Sequence, residues 1–307
     1  MAIGTLAPPL DVATGLAHVA ERSRVWRKFV RNPAAIVGAL ILLVVIGAAI
    51  FAPYVAPHEH TRQSLIRRLT PPVWAEGGKA TYLLGTDQVG RDILSRIIHA
   101  ARVSLIVGIS AVLVSLTVGV TLGLLSGFLQ GRVDTAIMTV VDVMLSFPQL
   151  LLALAFVAAL GPSLVNVMIA VGLRSIPSFA RLTRSMVLSL KELEFVQGVH
   201  ALGAGHGRVL FRHILPNSVS PLLVFSSMQV ATSILLAAIL SFLGLGVQPP
   251  TPEWGKMVSD GRAYLLDAPH VSLFPGIAIF LTVMGFNCLG DGLRDALDPR
   301  MRARVSE

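Results

Sequence analysis

The sequence is short of charge. Only 14% of its 307 residues are Asp, Glu, Lys or Arg, against about 25% in a soluble globular domain, while 54% are hydrophobic. A chain with so few solvating side chains belongs in a membrane. Cysteine is nearly absent: Cys288 stands alone inside the last apolar block, which excludes a disulfide framework and a cysteine-based metal cluster. The net charge of +8 does not gather on one face; its Lys and Arg residues flank apolar blocks, so nucleic acid is not an expected partner.

Catalytic motifs are missing as well. The string nearest to a phosphate-cradling loop, Gly77-Gly78-Lys79-Ala80, lacks the hydroxyl that would hold magnesium and has Val73 in place of the upstream glycine. His58-Glu59-His60 begins like a zinc-protease motif but puts Arg62 where the second histidine belongs. Cys288 takes the place of the first glycine of an aspartyl-protease G-x-G-D ahead of Asp291, and Leu124 that of the glycine a nucleophile elbow needs before Ser126. The expectation is a chain that is not an enzyme and binds no cofactor of its own.

What the sequence does have is apolar blocks of about 20 residues or more, enough at 1.5 Å per residue to cross roughly 30 Å of hydrocarbon and lie against lipid. They predict an all-α membrane protein of six spans, at 33–53, 103–128, 134–160, 163–185, 218–245 and 272–293. Residues 1–20, broken by Pro8 and Pro9, make a poor secretory signal, and the basic flank Arg22, Arg24, Arg27, Lys28 and Arg31 marks the first span as an uncleaved anchor. That flank predicts a cytoplasmic N-terminus, and six crossings return the C-terminus to the same side. Arg294, Arg300, Arg302 and Arg304 agree, as do Arg181, Arg184, Lys191, Arg208 and Arg212 between spans four and five. The external loop 54–102 dissents with seven basic residues, Arg62 to Arg102, and is outvoted. A turn around Gly161-Pro162-Ser163 and a proline-rich stretch from Gly246 to His270 complete the outer side.

Two features inside the spans stand out. Gly119, Gly123 and Gly127 recur every four residues and line one helical face, where either a helix of the same chain or a separate subunit can approach closely. Asp142 lies about eight residues into the third span, where a carboxyl costs on the order of 3 kcal/mol unless paired or wetted. It is a candidate proton site of a secondary transporter, or a structural partner for Arg174 or for another subunit. With no second buried acid to complete a relay, the structural role is favoured.

The segment from Glu194 to Asn217, EFVQGVHALGAGHGRVLFRHILPN, interrupts the apolar pattern. It predicts a short helix from Glu194 to about Leu202, a break at Gly203, Gly205 and Gly207, and a second short amphipathic helix over Arg208–Leu215 that Pro216 ends. Two short helices meeting at a glycine corner make either a knob for a groove on a soluble partner or a loop lying on headgroups.

The spacing from Gly203 to Ile214-Leu215-Pro216 resembles the cytoplasmic "EAA" loop of ABC importer permeases. WRKFVRNPAAIVG (26–38), LGTDQVGRDILSRIIHAARVSL (84–105) and FNCLGDGLRDALDPRMR (286–302) extend the likeness to the DppC/OppC type of dipeptide and oligopeptide permeases, beyond about residue 24, with a nickel or glutathione importer permease as the alternative the resemblance leaves open. The resemblance implies the type I importer permease fold, divided into an N-terminal segment 1–32, a first helix 33–53, an external loop 54–102, a five-helix core 103–293 with its coupling loop 190–217, and a tail 294–307. It implies as partners a second, similar permease, two ABC ATPases that hold ATP and magnesium, and an extracytoplasmic peptide-binding protein. Carried over position by position, Glu194, Gln197, Gly198, His200, Ala201, Leu202, Gly203, Ile214, Leu215 and Pro216 would couple to the ATPase. Asp87, Arg91, Asp92, Arg96, Glu253 and Trp254 would meet the binding protein. The chain departs from the pattern at Gln197-Gly198-Val199, where relatives have Glu-Ala-Ala, and at His200, where arginine is common; coupling then rests more on Glu194, His200 and the apolar face. His200, His206 and His213, six and seven residues apart, are not spaced as a metal-ligand pair, and His58-Glu59-His60 reads as a solvated turn.

Overall fold

In the computed structural model, which describes residues 27–297, the regular structure is helical, with no β-strand among the described residues. Residues 1–26 and 298–307, which hold most of the N-terminal segment and the basic residues of the tail beyond Arg294, lie outside the described residues, as does the side chain of His200. The long elements are α1 (Pro33–Ile50), α3 (Ile93–Leu129), α4 (Gly131–Ser146), α5 (Gln149–Leu160), α6 (Leu164–Lys191), α9 (Leu215–Phe242) and α11 (His270–Leu297). Short helices α2 (Ala52–Val55), α7 (Glu194–Ala201), α8 (His206–Val209) and α10 (Trp254–Gly261) lie between them.

The helix starts follow from side chains. Asn32 caps α1 through Ala34 N at 3.0 Å and Ala35 N at 3.3 Å, with Pro33 at the first position. Asp92 caps α3 through Ser95 N at 3.1 Å, Ser163 caps α6 through Asn166 N at 3.1 Å, and Glu253 caps α10.

The long helices pack into one bundle with two ends. At one end Trp254 Nε1 donates to Ile97 O at 3.1 Å, tying α10 to the start of α3; residues 51–92 and 243–269 gather there, and we call this end the cap. Some 56 Å away by helical rise, the far end of α3 meets α7 and α8, with Phe128 edge-on to His206 at 5.4 Å; this is the elbow end. Asn32 Nδ2 donates to Asp295 Oδ2 at 2.9 Å, bringing the start of α1 and the end of α11 together, and α11 leaves the cap at His270, beside Gly85.

Four helices are long and apolar enough to cross a membrane: α1, α3, the continuous helix 206–242 and α11. The broken pair α4–α5 makes a fifth if it is one span. Helix α6 has the length, 28 residues, but is too polar to qualify. It is sheltered instead, because the glycine face of α3 receives it. A Cβ on Gly119 would lie 2.5 Å from Phe179 Cβ, one on Gly123 2.5 Å from Ala180 O, and one on Gly127 2.8 Å from Val187 Cβ. The close approach that the stripe predicts is therefore to a helix of the same chain.

Several boundaries are corrected. Helix α3 begins at Ile93, ten residues before the expected 103, because Asp92 supplies a cap and the polar Ser95, Arg96 and His99 find partners in the cap region rather than in a loop. The span expected at 134–160 is not one straight helix: α4 and α5 meet at 97°, since Pro148 forbids helical geometry at Phe147, which is extended at φ −87° and ψ 139°. The proline-rich stretch after Gly246 contains a two-turn helix, α10. Pro216 does not end a helix. The chain runs on through a π-helical turn, Leu210–Ile214, closed by Leu215 N–H to Leu210 O, and this wider turn carries the backbone past a residue that lacks an N–H.

Candidate functional site

Three regions hold the residues that the sequence singles out: the elbow, the cap and the α4–α6 face.

The elbow is built as expected, a short helix turning at glycine. Ala204 N–H reaches back to Val199 O at 3.3 Å while Gly203 takes φ +84°, the C-terminal arrangement that glycine allows without strain. Its inner face is an anchor: Val196, Val209, Leu210 and Ile214 are buried against Leu124 of α3 and Val187 of α6, each burial being worth about 1.5–3 kcal/mol. Its outer face is bare. Glu194, Gln197, Gly198, Ala201, Gly203 and Pro216 are exposed, and beside them stand exposed hydrophobics, Leu202 at 89%, Phe211 at 64% and Phe195 at 46%. The structure thus divides the predicted coupling residues. Ile214 is fully buried and Leu215 half-buried; both belong to the anchor rather than to a contact surface, whereas Phe195 and Phe211, missed in the sequence, join the outer face. A cleft of about 550 Å³ opens under the elbow between Phe128, Lys191, Glu192, Gln197 and His206.

The cap reverses an expectation. Asp87, Arg91, Asp92, Arg96, Glu253 and Trp254 are all buried, none more than 9% exposed, so they offer no surface to a binding protein; they brace the fold. Asp87 accepts from Arg91 Nε at 2.6 Å and from the N–H groups of Val89 and Arg91 at 3.0 and 2.9 Å, with Arg96 Nε 3.6 Å away. Asp92 accepts from Ser95 Oγ at 2.5 Å, and its Oδ2 lies 3.3 Å from His58 Nδ1. Glu253 accepts from Gly255 N and Lys256 N, each at 2.9 Å, and burial pushes its carboxyl above the usual glutamate range against those two bonds. Unpaired charge is expensive away from water, and this explains why the acids and bases meet one another here. Gly90, at φ +76°, leaves room for the carbonyl of Ser64, which a Cβ would strike. His60 stacks on His99 at 4.3 Å, and its imidazole is held below its ordinary value by burial, then by His99 and Arg96.

The third region is the face between α4 and α6. Asp142 does not pair with Arg174; it accepts from Arg181 Nη2 at 2.6 Å, with both side chains about 60% exposed. A second acid, Asp134, accepts from Arg184 through two bonds of 2.6 Å and from Ser126. Arg174 instead donates to Gln149 and, at 2.9 Å, to Ser175. Three arginines of α6 thus face Gln149, Asp142 and Asp134 as successive rungs. Thr135, Thr139, Asp142 and Ser146 are all exposed and follow one another at four, three and four residues along α4, so they form one stripe; exposed Gln149 follows beyond the break. A polar, charged stripe on a membrane helix does not face lipid; it faces water or another protein. That spacing along α4 is present in the sequence, where Asp142 alone stands out by its charge. A proton relay is not favoured, since Asp142 already has a cationic partner.

The comparisons with known proteins agree with this architecture. Residues 119–303 match the family model described as binding-protein-dependent transport system inner membrane component, and residues 22–72 match the N-terminal TM domain of oligopeptide transport permease C. The chain is 47% identical over 296 residues to the di/tripeptide transport system permease protein DppC of Pseudomonas aeruginosa, covering 96% of this chain and 97% of that one. It is 48% identical over 278 residues to the glutathione transport system permease protein GsiD of Pectobacterium atrosepticum, covering 91% of each, and 46% identical over 296 residues to the dipeptide permease DppC of Alkalihalophilus pseudofirmus, covering 96% and 94%. The chain is a multi-pass membrane protein that belongs to the family of binding-protein-dependent transport system inner membrane components.

Proposed function

We propose that this chain is one of two permease halves of an ATP-driven importer for short peptides, with its elbow seated in a groove on a partner ATPase. The observation that carries the reading is the two-sided elbow: an outer apolar face, Phe195, Leu202 and Phe211, left uncovered, and an inner face welded to the ends of α3 and α6. Such a knob passes displacement of its partner directly to the bundle. In this reading the chain crosses the bilayer six times, the elbow end with both chain termini is cytoplasmic, and the cap is external. The basic Arg27, Lys28 and Arg31 ahead of α1 support that orientation. The named relatives support a peptide as cargo, glutathione included.

A peptide's charged ends cannot be stripped into lipid, so passage runs along a protein wall, for which the polar stripe of α4 with Arg181 is the candidate. A second, similar permease would close the pathway, an external binding protein would deliver the cargo to exposed parts of the cap, and ATP and magnesium would sit on two partner ATPases. To swing such a gate from about 1:99 to 99:1, the nucleotide must favour one state by roughly 5.5 kcal/mol. The test is to reconstitute the chain with its partner subunits and measure peptide-stimulated ATP hydrolysis and uptake. Replacing Gly203 with leucine, which strains the corner without filling occupied space, is expected to lower both; an unchanged rate would count against the elbow's role.

A further inference from the structure

The three rungs between α4–α5 and α6 are not equivalent. Arg184 meets Asp134 and Arg181 meets Asp142, but Arg174 meets only neutral groups, Gln149 and Ser175. Among the described residues no carboxylate lies within ion-pair distance of Arg174. The residue is only 5% exposed, and its Nε has no hydrogen-bond partner. A guanidinium carries five donors and a permanent charge, so this one is underused.

Its surroundings point the same way. Gln149, which it touches, is the first residue of α5, whose N-terminus carries no side-chain cap. The uncapped, positive end of a 12-residue helix therefore begins at the residue whose side chain Arg174 touches, an arrangement that attracts an anion. The spot lies at the α4–α5 break, beside exposed Phe147 and Leu151, at the end of the polar stripe. Gln149, the partner of Arg174 there, is itself exposed.

We infer that Arg174, with the N-terminus of α5, is a carboxylate-recognition point on the wall of the pathway, taking the C-terminal carboxylate of a passing peptide while Gln149 holds the guanidinium in place between passages. The inference rests on the importer reading above. A neutral placeholder serves this purpose, whereas a glutamate at 149 would complete the third ion pair and leave nothing for the cargo.

The experiment follows from that difference. The complete transporter in proteoliposomes is supplied with its binding protein and with radiolabelled trialanine or its C-terminal amide, for wild type, R174Q, R174K and Q149E. Expected are a roughly tenfold or greater fall in trialanine uptake for R174Q and Q149E, a partial recovery in R174K, and an acid-to-amide ratio that drops toward one in the two impaired variants. Q149E is expected to melt no lower than wild type, since it pairs a buried charge. Wild-type uptake in Q149E, or an undiminished acid-to-amide ratio, would overturn the assignment. So would loss of the second permease from purified Q149E, which would give Arg174 to a contact between subunits. Wild type that carries neither peptide would remove the peptide reading itself, and this inference with it.

Discussion

Gly123→Ala sets the packing of α3 on α6 against a single methyl group. Its Cβ would lie 2.5 Å from Ala180 O and 2.6 Å from Thr183 Cβ, about 1 Å inside ordinary van der Waals contact. The carbonyl belongs to helical backbone and Thr183 is fully buried, so no rotamer change relieves the overlap and the helices must part. Overpacking of this kind costs about 1–3 kcal/mol. Alanine also gains up to about 1 kcal/mol of helix propensity over glycine, which would blur the result if read alone. Gly47→Ala in α1 removes that ambiguity, because its Cβ meets nothing within 4 Å: both variants gain the propensity, and only one meets the neighbouring helix. The difference between them is therefore the steric cost. Measured as thermal melting of detergent-purified protein, Gly47→Ala is expected to match or exceed wild type and Gly123→Ala to fall several degrees below it. Equal melting of the two would refute the claim that the glycine face sets the approach of α6.

Leu202→Ser at the elbow removes a side chain that is 89% exposed, so melting should not change while peptide-stimulated ATP hydrolysis falls severalfold; unaltered hydrolysis would show that the outer face docks nothing. Glu253 has a carboxyl raised by burial, so its contribution to stability is fully present below the ordinary glutamate pKa and is lost as pH rises through the raised one. Glu253→Gln, which keeps an acceptor oxygen for Gly255 or Lys256, is expected to flatten the decline in melting temperature from pH 5 to 8, and an unchanged slope would refute this. Asp134→Asn breaks a two-bond pair that is 17% exposed on the acid's side, whereas Asp142→Asn breaks one bond at 61%. The first should therefore lower melting more than the second, and uptake in Asp142→Asn should stay independent of a proton gradient.

Much of the helical plan was readable because apolar length and capping chemistry are local. Asn32-Pro33, Ser163 and the glycine corner at Gly203 announce their geometry within a few residues, and the stripe of Gly119, Gly123 and Gly127 declares a close approach without saying to what. The misreadings share another cause. Asp87, Arg91, Asp92 and Arg96 look like a charged surface in one dimension, and only the folded cap turns them toward one another and out of water. Pro148 signalled a break that the apolar run on both sides concealed, and Pro216 signalled one that a π-helical turn absorbs.

The sequence by itself determined that this chain is a bundle of membrane helices carrying a polar elbow, because burial in hydrocarbon is decided by composition along a helix and a corner by its own glycine. Only the tertiary structure decided which charges are spent. Arg174, Arg181 and Arg184 are alike in the chain and become unlike when α6 lies against α4 and α5, since the partner of a charge is chosen by distance in space, 25 to 50 residues away.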